Sequence, residues 1–482
     1  MTTRRVVPFN RVEGDLELRL KLVEGVVASA QVVAPLYRGF EQLLQGQQAA
    51  DALVFVPRIC GICSVAQSHA AAAALAALAG GESPANGRRV SRIVLATENL
   101  ADHLTHFYLF FMPDFARSDY RHQPWYEAIS HRFRAQQGAG SGAWLQARAQ
   151  LMQVMGILAG KWPHTLGLQP GGVTRAVTAE EKVRLQTLLY SFRTFIEEEL
   201  FAADLEQVVA LESDDALQQW RQERERGDFG QFLTVAAALS LEKMGQIMLP
   251  QLSFGAYATA GGHFFRQGVA EGEAVRPVED QAIGEDLSHC WLPPHSSPQH
   301  PFHGVTQPGL EENPDGYSWC KAPRLGGRAV EVGAIARQRV DGQPLLQDLY
   351  RRDGSSVYSR VVARLIEVAR ITVALEQWIA AIDPAQPFYR PLILPPEGTA
   401  VGAVEAARGS LGHWLRVGQG RIENYQIIAP TTWNFSPRDG AGVPGALEQA
   451  LAGTVVGDRG EDAPAIAHIV RSFDPCMVCT VH

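Results

Sequence analysis

From Leu16 to Leu22 apolar and charged residues alternate with a strict period of two, which predicts a half-buried strand. A turn at Glu24-Gly25 leads to a partner strand over Val26 to Val33, so a small antiparallel sheet is expected near the N-terminus. From Gly39 onward the period becomes helical. Segments 41–53, 64–80, 91–112, 142–160, 179–209 and 356–382 place apolar residues three and four apart among helix formers. Several are longer than an ordinary helix, which predicts a bundle of long helices. Region 249–345 is rich in Gly, Pro and aromatic residues and reads as loops and short strands wrapped on that bundle. Region 386–445 has the same character and precedes a short helix near 444–452. No internal repeat, low-complexity tract or linker interrupts the pattern. The expected fold is α+β, mainly α: one intertwined domain over residues 1–482, with a small N-terminal antiparallel sheet and peripheral short strands.

Composition sharpens this picture in three places. With 46% hydrophobic and 20% charged residues, the 482-residue chain is not disordered, because it has ample surface to bury. Its formal charge of −8 and the absence of a basic stripe argue against nucleic acid as a partner. The most apolar run, Ala70 to Ala79, is far below the roughly 20 residues that cross a bilayer, so no direct membrane insertion is expected. Arg4-Arg5 is followed by Asn10, Arg11, Glu13 and Asp15 rather than by an apolar core, so no export signal is read and a cytoplasmic location is expected.

The six cysteines carry the chemistry. They are too few for a disulfide scaffold, and four of them form two Cys-x-x-Cys pairs, Cys60/Cys63 and Cys476/Cys479. One such pair is compatible with metal binding, thiol redox chemistry or buried structural cysteine. Two pairs that meet would offer four thiolates to a metal. A structural zinc site usually takes its ligands from short hairpins, whereas these pairs are separated by almost the whole chain, as suits a catalytic metal better.

The residues around these pairs resemble those of the large, catalytic subunit of nickel-iron hydrogenases. Arg58-Ile-Cys-Gly-Ile-Cys63 and Asp474-Pro-Cys-Met-Val-Cys-Thr-Val-His482 match the family's two signatures. Arg11-Val-Glu-Gly14, Arg38-Gly-Phe-Glu41, Lys321-Ala-Pro-Arg324, Glu331-Val-Gly333, the 408–414 stretch and the 424–434 stretch match in order along the chain. The resemblance implies heterolytic cleavage of dihydrogen at a nickel-iron centre. Cys60, Cys63, Cys476 and Cys479 would bind nickel, with Cys63 and Cys479 also bridging to an iron that carries CO and two cyanide ligands. Cys476 would be the first base, and Glu13 the carboxylate that relays the proton away. Arg408 would overhang the metals with Asp102 and Asp474 beside it, and Arg408, Thr431 and Gln67 would line the cofactor. Glu41, His482 and the backbone carbonyl of Ile427 would hold a magnesium ion. Without the resemblance, Glu13 reads as a solvent-facing strand residue, Glu41 as an N-terminal helix carboxylate and Arg408 as a salt-bridge partner.

Cys290 and Cys320 match no ligand position and read as buried small residues. His289, His295, His300 and His303 lack a helical or hairpin frame and read as solvated or structural. With no further cysteine set, iron-sulfur clusters are expected only in a partner: an obligatory iron-sulfur small subunit, in a heterodimer or a dimer of heterodimers. Two positions depart from the family pattern. Gln67 stands where most members have histidine, and Ala407 where a proline usually precedes the arginine. Gln67 resembles the regulatory, hydrogen-sensing branch, whose signalling partner is a histidine kinase; an energy-conserving uptake hydrogenase is the alternative. A non-catalytic zinc or thiol-redox protein is the alternative from another class. His482 would mark either a processed terminus or a gene without an extension.

Overall fold

The computed structural model describes residues 2–6 and 9–482. The N-terminal sheet joins three antiparallel strands, Thr2–Val6, Glu17–Val23 and Val26–Val33. Leu18 pairs with Val32, and Leu16, Leu18, Leu20 and Leu22 all face inward, as the alternation requires. Each such leucine contributes about 2 kcal/mol of apolar burial.

The long helices form largely where the period places them. Ser64–Leu78, Ala85–Thr105 and Val357–Ala380 are continuous helices, and the last is capped by Ser356, whose hydroxyl accepts from Ser359 N. Three expected helices are interrupted. Segment 41–53 breaks into Phe40–Leu44 and Ala52–Phe55 across Gly46, which has φ 78°. Segment 142–160 lies within two helices, Ala139–Leu151 and Gln153–Ala159. Segment 179–209 ends its first helix at Phe195 and turns through a wide helical turn to the left-handed Ala202.

Two regions expected to hold loops and short strands instead hold long strands. Gln251–Thr259 pairs with Gly262–Glu271, and Gly398–Ala406, Gly409–Gly418 and Arg421–Ile428 form a three-stranded antiparallel sheet. Most residues of Gln251–Thr259 and Gly409–Gly418 are buried, so their sequences lack the alternation that marks a half-exposed strand. The helix near 444–452 is present as Ala446–Leu451. The main apolar core runs from Phe9 to Val481 and contains all four paired cysteines.

A candidate metal centre

The two cysteine pairs meet. The four sulfurs lie within 4.8 Å of one another, all buried, and none is in a disulfide. Cys60 Sγ is 3.5 Å from Cys476 Sγ, Cys63 Sγ is 3.3 Å from Cys479 Sγ, and the two C-terminal sulfurs are 3.1 Å apart. Cys63 is the N-cap of the Ser64–Leu78 helix, where the helix dipole favours a thiolate. Hydrogen bonds from Cys476, Cys479 and Cys63 hold the Cys60 thiol well below its usual range. The bond to Cys476 leads in pushing Cys63 and Cys479 well above theirs. Four soft donors at this separation fit a thiophilic transition metal.

Backbone contacts tie both chain ends to this point. Glu13 and Cys476 form a parallel bridge, with Met477 N donating to Glu13 O at 2.6 Å. Gly14 makes the approach possible, since a Cβ there would stand 2.9 Å from Val478 Cγ1. The buried Asp114 pins both arms: it pairs with Arg11 on one side and with Arg471 Nη1 at 2.5 Å on the other. Arg471 also reaches Asn10 O at 2.7 Å. On the Cys60 side, Arg38 donates to the carbonyl of Ile59.

Glu13 is half-buried and lies before the strand that starts at Glu17, so the reading of a solvent-facing strand residue does not hold. Burial first, then the charge on Cys60, raises its pKa, while Arg408 opposes. Arg408 is buried and fixed from two sides: Nη1 lies 2.5 Å from Asp102 Oδ2, Nη2 lies 3.1 Å from Asp474 Oδ1, and Nε donates to Asp474 O at 2.9 Å. Burial costs that ion, but Asp102 and Asp474 more than offset it and keep it charged. The carbonyl of Ala407 accepts from Arg337 Nη2 at 2.8 Å, so the turn that leads into Arg408 is fixed from outside. Thr431 Oγ1 accepts from Cys476 N at 3.1 Å.

Gln67 is buried on the turn after Cys63, and its Oε1 lies 2.8 Å from His413 Nε2. His413 Nδ1 in turn lies 2.8 Å from the Tyr425 hydroxyl. Burial holds His413 down to about 3, so the ring is neutral; the Tyr425 hydroxyl donates to Nδ1, and Nε2–H donates to Gln67.

The expected magnesium ligands converge on a second cavity, lined by Glu41, Ile427, Thr480 and His482 among others. Glu41 is buried inside the fold and accepts from Ile427 N at 2.7 Å. Both ring nitrogens of His482 are buried without a hydrogen-bond partner, and burial holds that ring neutral, at about 3. An orphaned neutral imidazole beside a carboxylate is a donor set that a hard divalent cation would complete. Lys321, Glu285 and Gln426 were not expected here. Lys321 Nζ lies 3.3 Å from Glu41, 3.2 Å from Glu285 and 2.6 Å from Gln426 Oε1. Lys321 belongs to a matched stretch of sequence, but nothing in its spacing points to Glu41.

Glu98 is another residue missed by the sequence. It lies on the Ala85–Thr105 helix, accepts from Val65 N and Ala66 N at 2.9 Å each and from Trp162 Nε1 at 2.8 Å, and so caps the helix that starts at Cys63. Cys290 and Cys320 are fully buried, with thiols directed at the carbonyls of Trp319 and Lys321. His289 and His300 bond to the backbone carbonyls of Asp315 and Asp280.

The family model described as nickel-dependent hydrogenase matches residues 38–117 and 143–482. The chain is 28% identical to the periplasmic [NiFeSe] hydrogenase large subunit of Desulfomicrobium baculatum, covering 98% of this chain and 94% of that one. It is 25% identical to the uptake hydrogenase large subunit of Rhodobacter capsulatus, over 99% and 95% of the two chains. The Ni-Fe-Se hydrogenase from D. vulgaris Hildenborough in its as-isolated oxidized state superimposes over 100% of both chains, with a TM-score of 0.85 at 28% identity.

Proposed function

The chain belongs to the nickel-dependent hydrogenase family and is an oxidoreductase acting on hydrogen; from that premise we propose how its residues divide the work and which branch it serves. The observation that carries the reading is the convergence of Cys60, Cys63, Cys476 and Cys479 within 4.8 Å. These thiolates would hold nickel, with Cys63 and Cys479 shared with an iron bearing CO and two cyanide ligands. When bound, that centre supplies the heterolytic cleavage of dihydrogen.

The protein's own groups position, neutralise and remove protons. Arg408 brings a fixed, permanently charged guanidinium into a dry pocket, where its remaining N–H groups suit anionic diatomic ligands. Thr431 holds the backbone of Cys476, the thiolate nearest the Glu13 segment. Glu13, its pKa raised by burial, takes the proton at its carboxyl group and releases it outward. Glu41, His482 and the Ile427 carbonyl would hold magnesium and anchor the tail that carries Cys479. Electrons require another polypeptide, because Cys290 and Cys320 are too few to hold a cluster; an iron-sulfur small subunit is the proposed partner.

We assign the finer role to hydrogen sensing in the cytoplasm, coupled to a histidine kinase, and Gln67 supports it. Held by His413, its amide cannot become cationic, unlike the histidine that most of the family carries there. The uptake reading draws its support from the name of the Rhodobacter relative. Infrared spectra of the purified complex under hydrogen test the centre: bands from iron-bound CO and cyanide are expected, and zinc alone in a metal analysis would overturn it. Turnover typical of energy-conserving enzymes, together with an unchanged hydrogen response in a deletion strain, would overturn the sensing role.

A further inference from the structure

A cavity of about 130 Å³ lies beside the Ser64–Leu78 and Ala85–Thr105 helices, on a floor of alanines. His69, Ser83, Arg88, Ser91, Arg92 and Gln169 line it, and none of them serves the metal centre. Arg88, Arg89 and Arg92 follow one another along a single turn of the second helix, so three positive charges crowd together.

Their counter-charges are weak. Arg88 has Glu82 at 3.8 Å, a carboxylate that is 92% exposed. Arg89 donates to the neutral Asn86 Oδ1 at 3.3 Å. The Arg92 guanidinium lies over the Trp378 ring at 4.4 Å, and its Nη1 donates to Ala258 O at 3.4 Å. Stacking of this kind leaves the edge of the guanidinium as its donor surface. Arg92 Nε is nevertheless buried with no partner, and so is His69 Nδ1. Two unpaired polar nitrogens thus belong to residues lining one cavity.

We propose that this cavity is an anion site for a phosphate dianion, either free or as the end of a small phosphomonoester, held by the Arg92 edge, the Arg88 guanidinium and the His69 ring. A tetrahedral oxyanion has acceptors enough for both arginines, the imidazole and the hydroxyls of Ser83 and Ser91, whereas a carboxylate has two oxygens to share among them. The cavity is well below the size of drug-like or nucleotide pockets, which restricts the guest to a small molecule. Burial, followed by the charges of Arg89 and Arg88, pulls Arg92 down to about 10, and burial pulls His69 down to about 4. A bound dianion would favour the charged form of both.

The test is calorimetric titration of the purified complex with inorganic phosphate and with methyl phosphate, at fixed ionic strength against chloride. Saturable phosphate binding is expected, weakened at least tenfold in Arg92→Gln and in His69→Gln and unchanged in Arg148→Gln, a control arginine stacked on Trp162. If Arg92→Gln does not fold, Arg88→Gln carries the same test, since that side chain is 34% exposed. Tighter binding of methyl phosphate identifies a monoester as the guest, and tighter binding of inorganic phosphate the free ion. No saturable heat, or equal binding by wild type and both cavity variants, would overturn the proposal.

Discussion

The seven residues from Cys476 to His482 serve two neighbouring sites of opposite chemistry. Cys476 and Cys479 enter a cluster of four sulfurs, two of its sulfur–sulfur contacts 3.1 and 3.3 Å long, with backbone N–H groups of Ile62 and Cys63 donating to Cys60. Three residues beyond Cys479, His482 enters a cavity of oxygen donors where Lys321 already offsets Glu41 and Glu285. At the first site the four adjacent thiols oppose one another's ionisation. The second is partly satisfied by the protein's own ammonium, and the imidazole of His482 and one oxygen of Glu285 are left without a hydrogen-bond partner there. The oxygen site therefore carries a cation of its own, Lys321, whereas the sulfur site offers four soft donors.

The sharpest way to break this contrast is Cys479→Ser. Nickel and iron content measured by plasma mass spectrometry should fall to background, with activity lost entirely, because an alcohol does not replace a thiolate for a soft metal. Retention of stoichiometric metal would show that the sulfurs are not a single site.

Glu13→Gln should spare the metals yet lower hydrogen-deuterium exchange by about 10²–10⁴-fold, the usual worth of a general acid-base group. Metal loss in this variant would move Glu13 from proton transfer to structure. On the oxygen side, Glu41→Gln leaves Lys321 with Glu285 as its remaining carboxylate. Removing one member of a buried ion cluster costs about 3–5 kcal/mol, so thermal unfolding should shift down while nickel is retained. A protein that instead lost nickel at unchanged melting temperature would erase the distinction between the sites.

Gln67→His should keep the metals and alter the hydrogen response or oxygen sensitivity, since it presents a titratable ring to His413. The smallest effect is on pH dependence. Burial holds His69 down to about 4 and His106, His413 and His482 to about 3, so below the ordinary histidine value of 6.5 the unfolded chain binds protons that the folded state does not. Glu98, Glu285 and Glu448, raised by burial to about 7, act in the opposite sense and are outnumbered. Stability should therefore rise as pH goes from about 4.5 towards about 6. Denaturant melts of the holoprotein at about pH 4.5 and about pH 6 check the sign, and a fall in stability would contradict it.

Much of the sulfur site was legible in the sequence because its residue types are rare and their spacing is short. Cys60 and Cys63 sit three apart before a helix, as do Cys476 and Cys479 before His482. The oxygen site was half legible. Glu41 and His482 stand in matched stretches, but the contact of Lys321 with Glu41 joins residues 280 apart, and no local period encodes it. Asp114 escaped for the same reason: its partners Arg11 and Arg471 lie 103 and 357 residues away. Among the elements, Ser64–Leu78 and Val357–Ala380 were visible because good helix formers carry one unbroken pattern. The strands Gln251–Thr259 and Gly409–Gly418 were hidden by burial, which removes the polar half of the alternation. The break at Gly46 depended on a left-handed backbone that a propensity sum does not register.

Cys60 and Cys476 are 416 residues apart, and that separation sets a clock. At about 5–20 residues per second, the ribosome needs roughly 20–80 s to make the second pair after the first has been made. Throughout that interval Cys60 and Cys63 have no sulfur partners from the other end of the chain. Closing a loop of that length then costs about 5 kcal/mol of chain entropy. The site is consequently a late product of folding, and its first two thiols need a reducing environment, or a molecule that shields them, until the C-terminal pair arrives.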